Sequence, residues 1–369
     1  MGLNENQRKK IGLMILTTIW ERYFLRETVK VFILFLVGFY GLYALIDYST
    51  HASSFKHYQF SFLDILKFYA FEFVTKMDVL VPFALLIATV KTLCSLNTHN
   101  ELVALMASGI KLKRLLLPFV ALGLFLTALM YFNTEVLHPM AMRYNTKLDH
   151  SRAKAKHKKF MSIQQLSLED NSLFIFQEYD TVANEFFDSY WVRSIDDIYR
   201  IHRLSPYSVE PVGKAVERLQ RTPEGFLVLT ESVPEKTFSD MHFNKEKLLE
   251  TVSLPDAHSL SELKEKLPSH GNNLSEKEAA LLTTYYYKLA MPWLCLLAVL
   301  APAPFCIRFS RTMPVFFIYS LSIFGLVAFY LIMDATFVLG ERQMFPPALA
   351  IWTPFTLFFS FFGWRFLRL

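Results

Sequence analysis

The sequence contains no G-x-x-x-x-G-K-[ST], so the chain has no P-loop of its own with which to hold ATP. C-x-x-C, H-E-x-x-H and G-x-S-x-G are missing too, and the histidines are scattered rather than set at metal-ligand spacing. Of 369 residues only three are cysteine, and Cys94, Cys295 and Cys306 all lie in or beside apolar runs. The large polar part has none, so it must fold without disulfides on a core that about 150 residues can supply. Carboxylates within the apolar runs are equally scarce. Asp47, Asp78 and Asp334 fall at run ends, the ordinary place for solvated anchors, and no proton relay across a bilayer is present. A transporter driven by protons or sodium is disfavoured, as is an intramembrane hydrolase. Any work done by this chain draws its energy from another protein.

What the sequence has in excess is apolar length: 53% hydrophobic residues and 36 phenylalanines. A mean hydropathy of only +0.28 shows that a sizeable polar part accompanies it. Charge-free runs occupy 31–46, 115–134, 289–307, 312–333 and 343–364, and between Asp78 and Glu101 the one charge is Lys91. A hydrocarbon core needs ~20 helical residues, so these predict six transmembrane helices, the first lengthened by a snorkelling Lys30. Basic residues cluster at Arg8–Lys10, Arg22, Arg26 and Lys30, at Lys111, Lys113 and Arg114, at Arg308 and Arg311, and at Arg365 and Arg368. That pattern places both termini and the loop after the second span in the cytoplasm. A second basic run, from Arg143 and Lys147 through Arg152 to Lys159, falls on the opposite side. It opens a long segment, and long segments cross largely regardless of charge. No small-residue cleavage pattern follows the basic start, so the first helix is expected to be its own anchor.

Between the third and fourth spans the period changes to about two. Strands are predicted at 172–179, 188–193, 198–203, 213–221 and 225–232, with Thr222-Pro-Glu-Gly225 the clearest turn. Several short strands in one stretch suggest an antiparallel sandwich or jelly roll. Ser259-x-x-Glu262 and Ser275-x-x-Glu278 each predict a capped helix, the second running through Tyr285, Tyr286 and Tyr287 into the fourth span with a kink at Pro292. The expected organisation is therefore a six-helix membrane protein with an inserted β-rich domain: 1–138, 139–274 and 275–369.

One stretch stands apart: Asn97-Thr-His-Asn-Glu101-Leu-Val-Ala-Leu-Met-Ala-Ser-Gly109 is too short to cross and is expected to lie at the cytoplasmic surface as a helix over about 98–108. Thr98 and Glu101 have capping-box spacing, Gly109 supplies a left-handed stop, and Leu102, Leu105 and Met106 share a face. Glu101 either caps its own helix or offers a soluble partner a handle.

Several short motifs, taken in order, carry a resemblance. They are Arg22-Tyr-Phe-Leu-Arg-Glu-Thr28, Asp78-Val-Leu-Val-Pro82, Asn100-Glu-Leu-Val-Ala-Leu-Met-Ala-Ser-Gly109, Asn133-x-Glu135 with Pro139, and Lys288-Leu-Ala-Met-Pro292. Together with a β-domain between spans three and four, they resemble the lipopolysaccharide-export permeases LptF and LptG over nearly the whole length. The lead to the first span resembles LptF, and Lys76-Met-Asp-Val with Pro82 resembles LptG.

The resemblance implies a non-catalytic permease subunit of an ABC exporter in the bacterial inner membrane. ATP and magnesium would sit on a cytoplasmic LptB-like ATPase dimer, and no cofactor on this chain. It implies a second permease of the same type, LptC/LptA-like periplasmic jellyroll partners, lipopolysaccharide or lipooligosaccharide as cargo, and no nucleic acid. Glu101 would couple to the ATPase. Lipid would enter beside helices 1 and 5, whose helical wheels offer Phe32, Phe35, Phe39 and Tyr43, and Phe317, Ser320, Phe324 and Val327. Arg143, Lys147 and Arg152 could meet lipid phosphates, or form a solvated basic linker; unlike some members of the family, the chain has Asp47 at the outer end of helix 1 and no lysine until Lys56. From another class, a signalling protein would link an outside sensor to a cytoplasmic partner through the same short helix. A membrane enzyme using Asp47, Asp78 or Asp334 ranks last, since no nucleophile or metal site accompanies them.

Overall fold

The computed structural model describes residues 18–57, 61–142, 144, 164–168, 172–180, 185–206, 211–222, 225–241, 258–267, 276–309 and 314–368. Arg143, Lys147, Arg152 and the basic run to 159 lie outside these, as do Ser275 and Arg311. The chain forms two compact units, 146–254 being one and the flanking segments together the other.

Six helices of the flanking unit are long and apolar enough to cross a membrane. The first two are long: α1 is Ile19–His57 and α2 is Phe62–Thr98. Two short helices follow, α3 (Glu101–Ala107) and α4 (Leu112–Leu115), before α5 (Leu117–Phe132). A π-helical turn, Asn133–Leu137, continues α5, so the third candidate span reaches Met142. After the inserted unit come α6 (Leu260–Glu265) and α7 (Glu276–Ala290). The latter passes at Met291–Trp293 through a single 3-10 turn into α8 (Leu294–Leu300). This is the kink expected at Pro292, which has no N–H to give the helical ladder. The break at Ala301-Pro302 leads to α9 (Ala303–Phe309), and α10 (Val315–Glu341) and α11 (Pro347–Leu367) complete the set.

The spans differ in what they bury. The inner faces of α2 and α8 meet α5, with Leu85, Leu93, Phe119, Cys295 and Val299 all at most 1% exposed. By contrast α1, α10 and α11 show wide apolar faces to the outside, including Leu34, Val37, Phe316 and Phe324. Such faces are stable against lipid tails, which are as apolar as they are.

The inserted unit is one antiparallel sheet of six strands in sequence order, β1 (Gln164–Ser167), β2 (Leu173–Asp180), β3 (Glu185–Ser194), β4 (Asp197–Ser205), β5 (Val212–Arg221) and β6 (Leu227–Thr237). Among the described residues it is a meander, with no crossover of the Greek-key kind. Five strands fall where alternation predicts them, while β1 is too short to leave a pattern. One face carries Phe174, Phe176, Phe186, Trp191, Tyr199, Ile201 and Val216, closed by Phe238 and Met241. At the expected turn, Gly225 takes φ +92 and its N–H donates to the Thr222 carbonyl at 2.8 Å.

A crease crosses this sheet. Asp188 and Ala215 have φ of 45 and 53, and the registers place Asp188 opposite His202, His202 opposite Ala215, and Ala215 opposite Pro234. On either side of that line the buried residues are three apart instead of two: Phe186 and Ser189, Ile201 and Leu204, Gly213 and Val216. The sheet bends there without losing its register, and both sides of the bend keep their apolar residues on the core face.

The unit boundary also differs from the expected one. Helix α6, placed by sequence in the inserted domain, belongs with the helical unit. Its Ser259-x-x-Glu262 capping box forms as predicted, and Ser261 donates from both backbone N–H and hydroxyl to the Glu135 carboxylate on the π-turn.

Candidate functional site

The two-residue corner His99-Asn100 separates α2 from α3. Capping-box spacing predicts that Thr98 caps the short helix, but α2 runs on through it. Its hydroxyl donates to the carbonyls of Cys94 at 2.9 Å and Ser95 at 3.0 Å, closing the long helix instead of opening the next. The N-cap of α3 is Asn100, in the left-handed region at φ 63, where a short polar side chain is tolerated. Thus α3 begins at Glu101, and the capping box expected from Thr98 does not form.

Each expected member of this helix has a definite place. Leu102 is 1% exposed and Leu105 half-buried, both against the core of α2 and α5. Met106 is exposed and, with Val103, forms the outward apolar face. Leu102 therefore holds α3 down; it does not face outward with Met106. Nothing in the sequence singles out Val103, because only the fold decides which side of the helix the bundle covers. Gly109 closes the helix at φ +92 as expected. Glu101 is half-buried and accepts a long hydrogen bond of 3.5 Å from the Tyr23 hydroxyl of α1, a partner 78 residues away that no sequence signal pointed to.

Behind the corner, α2 is tied to the end of the fourth span. The Asn97 side-chain amide donates to the carbonyls of Ile307 at 2.9 Å and Cys306 at 3.3 Å. The end of α2 next to α3 is thereby hydrogen-bonded to the end of the fourth span.

The two stripes proposed for helices 1 and 5 part company. On α10, Phe317, Ser320, Phe324 and Val327 are all exposed on one face. On α1, Phe32 is 8% exposed, Phe35 stacks on Phe39, and Phe39 meets the edge of Phe83 on α2 at 5.1 Å. The Tyr43 hydroxyl donates to Glu72 at 2.8 Å. That aromatic stripe is the seam between α1 and α2. The open face of α1 is aliphatic: Ile33, Leu34, Val37, Leu42 and Leu45. Aromatic rings gain edge-to-face contacts on a neighbouring helix that lipid tails do not return, which accounts for the burial of the stripe.

Asp47, Asp78 and Asp334 lie inside α1, α2 and α10 and not at helix ends, because these helices run on past the apolar stretches, and each has structural surroundings. Asp47 accepts from the Tyr69 hydroxyl at 3.0 Å and Asp334 from that of Tyr287 at 3.1 Å. Asp78 lines a mixed polar and apolar cavity of about 140 Å³ with His138 and Lys288, whose ammonium donates to the His258 carbonyl at 2.9 Å. Among the described residues no group of three histidine, cysteine or carboxylate side chains could hold a metal.

Comparison with curated proteins gives no match. Residues 22–368 match the sequence model of the lipopolysaccharide export system permease LptF/LptG, nearly the whole chain, and the chain belongs to that family.

Proposed function

We propose that this permease subunit takes lipopolysaccharide, or lipooligosaccharide, from the outer leaflet of the inner membrane, with α3 as the lever through which a cytoplasmic ATPase dimer moves its helices. The observation that carries this reading is the division of α3 into two faces: Leu102 and Leu105 inward, Val103 and Met106 outward, with Glu101 at the leading end. A lever needs a rigid attachment and a free surface, and α3 has both.

ATP and magnesium belong to the partner ATPase, whose closure pushes on α3; Asn97 carries the push into the second and fourth spans. The open faces of α1 and α10 border a cavity shared with a second permease, and Phe317, Ser320, Phe324 and Val327 form one side of its lateral opening. Acyl chains can enter such a space with little loss of burial, because its walls replace lipid neighbours. Narrowing the cavity then favours release. Arg143, Lys147 and Arg152 supply cations for the lipid phosphates. On the inserted sheet the edge strand β6, with Leu227 and Leu229 exposed, offers pairing to an LptC/LptA-like jellyroll. Both termini face the cytoplasm and the sheet the periplasm.

A photo-crosslinking residue in place of Val103 or Met106 tests the lever. In cells making the whole complex, it should capture the ATPase, whereas one in place of Leu102 should not. Capture from neither outward position would remove α3 as the docking element.

A further inference from the structure

A second apolar space lies away from the open faces of α1 and α10. Between α8, α9, α10 and α11 is a cavity of about 210 Å³, larger than the ~150 Å³ at which apolar cavities stay dry and take apolar guests. Its floor is buried: Leu294, Leu297, Ala298 and Phe329 are all at most 4% exposed. Its sides include Leu321 and Phe361, which are half-exposed and open it laterally to lipid. From Leu321 to Phe329 it follows α10 for ~12 Å.

One end is cationic. Arg365 lines the cavity, and its guanidinium lies 4.3 Å from the centre of the Phe305 ring, another lining residue. Among the described residues no carboxylate pairs with it. Arg368 follows one turn later and is exposed. Gly325 contributes to the wall of α10, and a Cβ there would meet nothing within 4 Å, so a longer side chain at this position can project into the space without a backbone clash.

We infer that this slot holds an acyl chain of an anionic phospholipid from the cytoplasmic leaflet, with its phosphate on Arg365. The leaflet assignment rests on the proposed orientation with the C-terminus in the cytoplasm. An apolar slot with an arginine at its mouth that pairs with no described carboxylate matches a lipid of this kind. A zwitterionic lipid brings the same chain but less net charge, and the outer-leaflet cargo enters from the other side. The lipid would stiffen the contact of α10 with α11 while leaving the opposite face of α10 free for cargo.

The test uses the complete complex in vesicles with diazirine-bearing phosphatidylglycerol or diazirine-bearing phosphatidylcholine, and maps the labelled peptides. Phosphatidylglycerol should label residues within 294–305 and 358–365 about tenfold more than phosphatidylcholine, whose phosphate is the same but whose choline cation is repelled by Arg365; tenfold corresponds to about 1.4 kcal/mol. Arg365→Gln should abolish that preference but keep chain labelling, and Gly325→Leu should remove labelling by both lipids. Equal labelling by the two lipids in the wild type, absence of label from these segments, or displacement of label by added lipopolysaccharide would each overturn the inference. Lipopolysaccharide release measured on the same vesicles reports separately on the export reading, so failure of one is distinguishable from failure of the other.

Discussion

Asn97 and Ile307 are joined by a 2.9 Å hydrogen bond between the last turn of α2 and the end of the fourth span. The same amide reaches the Cys306 carbonyl, and Asn97 is only 4% exposed. Replacing it with leucine leaves buried carbonyls without this donor, at a cost of about 1–3 kcal/mol. Asn97→Leu should lower the unfolding temperature of the purified chain in detergent. In the assembled complex it should also lower lipopolysaccharide released per ATP hydrolysed, because α2 and α9 would no longer move together. An unchanged ratio would separate Asn97 from force transmission.

Leu102 and Met106 sit four residues apart and should fail differently. Leu102→Ala opens a cavity in the bundle and should cost about 2–5 kcal/mol. Met106→Ala changes an exposed side chain and should alter stability by no more than about 0.5 kcal/mol. Binding of the ATPase should show the reverse order of specificity, with Met106→Ala weakening it in a chain that remains fully folded. Thermal unfolding alongside affinity capture of the ATPase distinguishes the two.

Gly340 is where α10 and α7 approach most closely among the glycines of the helical unit. A Cβ there would lie 2.9 Å from Thr283 Cγ2, and Thr283 is held by its own hydroxyl bond to the Ala279 carbonyl at 2.7 Å. It cannot yield, so Gly340→Ala should destabilise by about 1–3 kcal/mol. Gly38→Ala, with open space around it, should be neutral or mildly stabilising through helix propensity. The pair can be compared by thermal unfolding in detergent.

Two groups set separate acid responses. Burial, then the nearby Lys266 and Lys288 charges, hold His258 below its ordinary value, against an opposing pull from Glu262. Between that lowered pKa and the unfolded value near 6.5, the unfolded chain binds more protons, so stability falls as pH falls through this window. Asp197 is held below the usual carboxylate value chiefly by the Arg218 guanidinium, which donates to it at 2.8 Å. Its contribution is present above the ordinary carboxylate pKa and is lost as pH falls through the lowered one. Acidification from pH 7.5 should first loosen α6, reported by hydrogen exchange near Leu263, and only later the sheet, reported by Trp191 fluorescence. His258→Gln should remove the first step alone.

Much of this architecture was legible because its causes are local or additive. Span lengths follow from hydropathy, the Met291–Trp293 turn from Pro292, the α6 cap from Ser259 and Glu262, and five strands from alternation. The illegible parts depend on contacts distant in sequence. Thr98 and Glu101 have capping-box spacing, yet α2 continues through Thr98 because its buried face extends to Asn97. A helical wheel finds the aromatic stripe on α1 but cannot tell a seam with α2 from an opening, and only Phe83 across the contact decides it. The crease at Asp188 and Ala215 uses left-handed backbone without glycine, the residue by which sequence normally announces it. For the lever, the sequence picked out Glu101 and Met106; Val103 and Tyr23 needed the fold.

Transmission of force from an ATPase through α3 is the step on which the proposed function turns. The most direct measurement is lipid-stimulated ATP hydrolysis, together with lipopolysaccharide release, by the complex of both permeases and the ATPase in vesicles, comparing wild type with Glu101→Ala. Assembly is checked by size-exclusion chromatography. Release, and its coupling to hydrolysis, should collapse in Glu101→Ala while the complex stays intact. Unchanged hydrolysis and release in an intact Glu101→Ala complex would reduce Glu101 to a residue of the first turn of α3 and rule it out as the coupling residue.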